Sequence, residues 1–254
     1  MNGIAGSAGP PDDIAIDAAA TAALDLVAEG ACVGLGSGRT AAAFIVKLGG
    51  RAHMGFRVTG VPASQASSRL ALDVGIPLVS LDNGVLLDLT VDGADEVAPS
   101  LDLIKGLGGA LVRERILAAA SKRQVIIVAS GKLVPALGTR QGIPVEVIPF
   151  AVGPVVRALT SLGLTPKLRA DQAHSAATLA TPALSDNGNY TVDCALARPL
   201  ADADAASALE AAILSIAGVV DTGLVLGTAE RVIVGYPDHH VETLVRRGSS
   251  YANT

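Results

Sequence analysis

The chain has 254 residues, enough for one large domain or two smaller ones, and half of them are apolar against 17% charged, which is a globular balance. A net charge of −5 with no basic block, and only three tyrosines, three phenylalanines and no tryptophan, argue against a nucleic-acid partner. Every apolar run is broken or shorter than the roughly 18 residues of a membrane span, so no membrane partner is expected either.

Residues 1–13 are rich in glycine and proline and open without lysine or arginine, so they read as a flexible tail and not a signal peptide. Helix signals over 14–28, 40–48, 65–73 and 109–121 alternate with strand signals over 31–35, 56–60, 76–80, 85–91 and 124–129. Apolar strands separated by helices predict a parallel sheet covered on both faces. After Pro144 the texture changes to short strands at 145–148, 168–170, 177–180 and 190–195, with helices at 154–162 and 203–216. Asp186-Asn187-Gly188-Asn189 is a hairpin-turn signal, because Asn and Gly tolerate positive φ. A last strand at 231–234 is expected to return to the first sheet. The fold class is therefore α/β: a doubly wound, Rossmann-like parallel-sheet domain (14–144 plus 228–254) with a smaller inserted α+β lid domain (145–227).

Cys32 and Cys194 sit in separate apolar contexts and read as buried free thiols of a cytoplasmic protein, with a disulfide as the other reading. His53, His174, His239 and His240 show no metal-ligand spacing, and the last two follow a Tyr236-Pro237-Asp238 turn signal. No metal site is expected.

Gly34-Leu35-Gly36-Ser37-Gly38-Arg39-Thr40 follows a strand and opens a helix, where free N–H groups and the helix dipole suit an anion. A dinucleotide fingerprint would need glycine at 39 and an acid about twenty residues on, and a P-loop would need lysine before Thr40. The loop suits a single phosphate, or is a tight turn without a ligand. Next, the strand at 85–91 ends in Asp92-Gly93-Ala94-Asp95-Glu96, at the strand end that faces the crevice of an open α/β sheet. Three close acids repel and raise at least one pKa, which suits proton transfer; the alternative is a polar loop with Asp95 capping a short helix. Lys105-Gly106-Leu107-Gly108-Gly109 offers a cation and freed N–H groups for a developing oxyanion. Glu114 lies early in the following helix, between Arg113 and Arg115, a pattern that also fits a solvated surface residue.

GLGSGRTAA, TVDGADEV, KGLGGALVRE, ASGKLV, PVEVIP and SDNGN occur in an order and spacing that resemble the ribose-5-phosphate isomerase A family. That resemblance implies a small-molecule sugar phosphate as substrate, an aldose–ketose isomerisation, no cofactor, and a homodimer or homotetramer. It implies Glu114 as the base moving a proton between C1 and C2, Asp92, with Asp95 beside it, as the group that assists ring opening and proton shuffling at the sugar oxygens, and Lys105 with the N–H groups around Gly106 and Gly108 as stabiliser of a cis-enediolate. It further implies substrate contacts from Ser37, Gly38, Arg39, Thr40, Gly93, Ala94, Gly106, Leu107, Gly108 and Lys132. Four places depart from the family pattern: Leu107 replaces a glycine, Arg39 replaces a small hydroxyl residue, Ala129-Ser130-Gly131-Lys132 lacks the acid and serine expected just before that lysine, and the first helix around Ile16 lacks a lysine near the phosphate. Arg39 is the candidate replacement for that missing cation; the other reading has it pointing into solvent or pairing with an acid across a subunit interface. The competing readings are a non-catalytic sugar-phosphate sensor, which would have no reason to gather Asp92, Asp95, Lys105 and Glu114, and a dehydrogenase, which fails on the glycine pattern.

Overall fold

The structure is a computed structural model and describes residues 10–171 and 181–246. In chain order it runs α1 (Pro10–Leu24), β1 (Cys32–Leu35), α2 (Gly38–His53), β2 (Thr59–Pro62), α3 (Gln65–Asp73), β3 (Leu89–Asp92), β4 (Glu96–Val97), β5 (Leu103–Ile104), α4 (Leu111–Ala119) and β6 (Gln124–Ala129). It continues with β7 (Ile143–Val147), α5 (Val152–Ser161), β8 (Thr165–Leu168), β9 (Tyr190–Ala195), α6 (Ala203–Leu214), β10 (Val219–Thr222), β11 (Leu224–Val225), β12 (Arg231–Gly235) and β13 (Val241–Val245).

The main sheet has the order β13-β12-β6-β3-β1-β2, parallel throughout except for β13, which turns back along β12. All six residues of β6 are buried, and the period of two divides them between opposite faces. Val125 and Ile127 pack with Ala19, Ala20 and Ala23 of α1 and with Phe44, Ile45 and Leu48 of α2. Ile126 and Val128 pack on the other face with Val97, Leu101, Leu103, Val232 and Val234. Helix α1 lies so close to the sheet that a Cβ added at Gly235 would stand 1.8 Å from the Ala15 carbonyl oxygen. Only glycine fits there.

The chain leaves this sheet after β6 and rejoins it at β12, so the intervening residues form an insertion. Their antiparallel sheet, β10-β7-β9-β8, buries Val145, Val147, Val192 and Cys194 against Val155, Leu159 and Ile213 of α5 and α6. A small sheet, β11-β5-β4, links the two layers. The turn at Asp186–Asn189 has Gly188 at φ +77°, the conformation that its sequence asks for. Among the described residues no helix is long and apolar enough to cross a membrane.

Several boundaries differ from expectation. Residues 10–13 belong to α1 and not to the tail, with Asp12 and Asp13 in the first turn where the helix dipole favours acids. The stretch 76–80 is not a strand: Pro77 lacks a donor, and Leu78 alone makes a bridge, to Gly60. The expected strand at 85–91 starts only at Leu89, because the Asp88 carboxylate turns aside to accept from the Cys32 N–H at 2.9 Å. The strand expected at 56–60 begins at Thr59, since Phe56 lies under the Arg51 guanidinium, 4.2 Å away. Cys194 is buried but Cys32 is only half-buried; both thiols are free. The expected strand at 177–180, like His174, lies outside the described residues.

Candidate active site

The carboxyl ends of the neighbouring strands β1, β3 and β6 open onto one crevice, and each feeds a loop that lines it. After β1, Gly36 passes so close to β3 that an added Cβ would stand 2.1 Å from Asp92 Oδ1. The chain then turns through Gly38, at φ +77°, into α2. Ser37 is the residue before that helix, yet its side chain does not cap it. Its N–H donates to Asp92 Oδ1 at 3.1 Å and its hydroxyl donates to Glu114 Oε1 at 2.5 Å. The first-turn N–H groups of α2, at Gly38, Arg39 and Thr40, have no side-chain cap from Ser37 and line the crevice, an arrangement that suits an anion. The Ser37 hydroxyl, on the side of the crevice where the resemblance implies a substrate contact, is bonded to the glutamate.

At the end of β3, Asp92 is fully buried beneath the crevice, with Oδ1 accepting from its neighbour Gly93 N–H at 2.8 Å. Lys105 follows β5 and is also buried. Its Nζ lies 2.9 Å from Asp92 Oδ2 and 3.2 Å from Glu114 Oε2, and donates to the Gly93 carbonyl at 2.5 Å. Two carboxyl groups thus share one ammonium, all three side chains being 5% exposed or less. Burial, helped by the Glu114 charge and opposed by Lys105, pushes the Asp92 carboxyl up to about 7. For Lys105 burial works against the charge, but Asp92 and Glu114 outweigh it and hold the ammonium above its ordinary value.

The remaining acids of the Asp92–Glu96 segment separate. Asp95 lines the crevice, accepts from the Leu107 N–H at 3.0 Å, and has its carboxyl raised by burial. It caps no helix. Glu96 faces the opposite way, fully buried, and accepts from the N–H groups of Gly138, Arg140 and Gln141 at 2.6, 2.5 and 2.8 Å. Its work is to shape the loop before β7.

Glu114 is only 5% exposed although arginines flank it. Both arginines are engaged with the inserted layer. Arg113 donates to Asn187 Oδ1 at 2.8 Å and to the Asp186 carbonyl at 2.7 Å. Arg115 meets Glu210 Oε1 at 2.9 Å and Asp221 Oδ2 at 2.8 Å. They pin α4 to the hairpin turn on one side and to α6 and β10 on the other, which turns Glu114 inward. The solvated-surface reading of this glutamate fails for that reason.

The crevice encloses about 320 Å³. From the expected set it is lined by Ser37, Gly38, Arg39 and Thr40 after β1, by Gly93, Ala94 and Asp95 after β3, and by Lys105, Gly106, Gly108, Glu114 and Lys132. Two expected residues are not on its wall. Asp92 lies under the floor, and the Leu107 side chain is 43% exposed elsewhere, so that only its backbone serves the site. Arg39 lines the wall and stands 3.9 Å from Asp13 of the same chain, both half-exposed or more. One contributor went unread in the sequence: Arg169, some sixty residues away, donates to the carbonyls of Gly106 and Leu107. Among the described residues no three His, Cys, Asp or Glu side chains gather as a metal cluster.

A buried carboxylate in contact with a hydroxyl and an ammonium, facing a helix N-terminus across a small polar crevice, defines a proton-transfer site for an anionic small molecule. Residues 59–239 match the family model of ribose 5-phosphate isomerase A (phosphoriboisomerase A). The chain is 45% identical over 226 residues to ribose-5-phosphate isomerase A of Roseiflexus castenholzii, covering 88% of this chain and 92% of that one. It is 46% identical over 226 residues to the protein of that name from Gloeobacter violaceus, covering 87% and 92%. Among solved structures it is similar to a D-ribose-5-phosphate isomerase in complex with phospho-erythronic acid, with a TM-score of 0.86 and 33% identity over 92% of this chain and 99% of the other. Ribose 5-phosphate isomerase A of Methanocaldococcus jannaschii gives a TM-score of 0.82 and 38% identity, covering 92% and 98%. The chain belongs to the ribose-5-phosphate isomerase A family.

Proposed function

We propose that this protein interconverts ribose 5-phosphate and ribulose 5-phosphate by moving one proton between C1 and C2 through a cis-enediolate. The observation that carries this reading is the Glu114 carboxylate on the crevice wall, fixed by the Ser37 hydroxyl at Oε1 and by Lys105 at Oε2. Glu114 removes the C2 proton of the open-chain aldose and returns it to C1 of the enediolate. As the C–H bond breaks, its electron pair forms the C1–C2 double bond and the carbonyl π pair moves onto O1, beside the Lys105 ammonium and the N–H groups of the Gly106–Gly108 loop. Asp95, which lines the crevice with a raised pKa, exchanges the proton between O1 and O2 and assists ring opening. Asp92 is the positioning residue beneath them: it holds the Lys105 ammonium and the Ser37 N–H.

In this reading the phosphate sits at the α2 N-terminus, on the N–H groups of Gly38, Arg39 and Thr40, with Lys132 and the Arg39 guanidinium as counter-cations. The catalytic unit comprises 14–144 plus 228–254, extended by residues 10–13 at the start of α1, and 145–227 form a lid beside the sugar. A cytoplasmic homodimer or homotetramer without a nucleic-acid or membrane partner belongs to the same proposal. The almost fully exposed Phe150 and half-exposed Ile148 supply an apolar surface for self-association.

An isomerase assay with ribose 5-phosphate, unphosphorylated ribose and a six-carbon aldose phosphate tests it. Turnover of ribose 5-phosphate should exceed that of ribose by roughly a hundredfold or more in kcat/KM, since a phosphate dianion adds several charge-assisted hydrogen bonds. The six-carbon phosphate keeps those bonds, and its turnover reads the length of sugar that the crevice accepts between the phosphate seat and Glu114. No turnover of ribose 5-phosphate, or equal use of ribose, would overturn the proposal.

A further inference from the structure

Arg169 follows β8 on the inserted sheet and is largely covered. Its guanidinium is held in a fork by Asp193 of β9, with Nε donating to Oδ2 at 2.9 Å and the second terminal nitrogen meeting Oδ1. The remaining nitrogen donates to two consecutive carbonyls, Gly106 and Leu107, each at 3.0 Å. In a trans peptide the C=O and the following N–H point in opposite directions, and the described residues contain no cis bond. Both N–H groups must therefore point away from Arg169. The first, from Leu107, meets Asp95 Oδ2 at 3.0 Å. The second belongs to Gly108, on the crevice wall, and donates to no acceptor among the described residues.

We infer that Arg169, braced by Asp193, is a positioning residue for the isomerisation: it turns the peptides of this loop so that the Gly108 N–H faces the enediolate oxygen and Leu107 fixes Asp95. The inference rests on the proposed function and deepens it. A side chain of the lid sheet thereby sets the direction of an oxyanion donor in the catalytic layer. The loop can take this shape because Gly106 adopts φ +105°, where a side chain would also press on Leu111 at 2.9 Å.

The test compares wild type with Arg169→Gln and Arg169→Lys in kcat, KM and two inhibition constants. One inhibitor is inorganic phosphate, which reads the anion seat alone. The other is a four-carbon phosphorylated aldonic acid, whose planar carboxylate imitates the enediolate. Arg169→Gln should lower kcat by roughly 10- to 100-fold, somewhat less than outright loss of an oxyanion donor. KM should stay within about threefold, and the aldonic acid should weaken in step with kcat while phosphate inhibition is unchanged. Arg169→Lys, which keeps the charge but not the fork, should recover only part of the loss. A kcat within about threefold of wild type, or equal weakening of both inhibitors, overturns the inference. If Arg169→Gln does not fold, Asp193→Asn is read instead and should show the same selective loss of the aldonic acid, in milder form; no selective loss overturns it equally. Should the wild type not isomerise ribose 5-phosphate, the functional proposal falls on its own, and the ratio of the two inhibitor affinities by calorimetry still tests Arg169.

Discussion

The Ser37 hydroxyl and the Glu114 carboxylate are joined by a 2.5 Å hydrogen bond that ties the loop after β1 to the first turns of α4. It connects the anion seat of α2 to the proposed base, so a bound phosphate and an oriented carboxylate share one support. Ser37→Ala removes the bond without removing the N–H that Asp92 holds. We expect kcat to fall about tenfold, in line with the net worth of one hydrogen bond to a charged group, while KM changes little. Steady-state kinetics check this; a large rise in KM at constant kcat would return Ser37 to the role of phosphate ligand.

Asp92 gives the protein a pH dependence of stability with a definite sign. Its folded pKa is raised from 3.8 to about 7 by burial and by Glu114, so between those values the folded chain holds a proton that the unfolded chain has lost. The stability from this group is complete below the unfolded pKa and drains away as pH rises toward 7, at up to about 1.4 kcal/mol per pH unit. Asp92→Asn cannot ionise. Denaturant unfolding at pH 5 and at pH 7 should show the wild type losing stability relative to this variant over that interval; parallel curves would mean that Asp92 is ionised throughout.

Arg39 lies on the crevice wall and its ion pair with Asp13 is long and exposed. Such a pair is worth about 0–1 kcal/mol, so the guanidinium is free to turn onto a bound phosphate. Arg39→Ser should raise KM for ribose 5-phosphate, and the inhibition constant of inorganic phosphate with it, by roughly tenfold or more, with a smaller effect on kcat. If both constants stay within about twofold of wild type, Lys132 and the backbone N–H groups suffice.

The path of the proton also leaves a trace. Glu114 is 5% exposed, so a proton resting on it can exchange with water, though not freely. Product formed in heavy water should carry deuterium, in part, at the carbon that gains hydrogen. Mass spectrometry of product at low conversion reads this; no deuterium at all would point to direct hydride transfer between the carbons.

Much of the scaffold was legible because its signals are local. The helix expected over 65–73 and the strands expected over 124–129 and 190–195 have those bounds in the structure, since each is a continuous apolar or amphipathic run between turn residues. The same rule misread 76–80, where an apolar run containing Pro77 passes beside β2 with a single bridge. It also passed over β13, a mostly exposed edge strand without the apolar alternation that marks a buried one. At the candidate site, residue types near strand ends pointed to the crevice, but the depth of each side chain did not follow from its position. Asp92 and Asp95 are three residues apart, yet one is under the floor and the other on the wall. Glu114 fitted a solvated surface residue because the partners that draw off its flanking arginines, Asp186 for Arg113 and Asp221 for Arg115, are far away in sequence. Arg169 was unreadable for the same reason.

The central claim is that Glu114 moves the proton, and the kcat of Glu114→Gln tests it most directly. The amide keeps the size of the side chain and can still face Ser37 and Lys105, but it cannot accept a proton from carbon. The account predicts a fall in kcat of roughly two to four orders of magnitude, with KM for ribose 5-phosphate within a few-fold of wild type and the variant folded by circular dichroism. A folded Glu114→Gln protein with kcat within tenfold of wild type would contradict it and remove this glutamate from the mechanism.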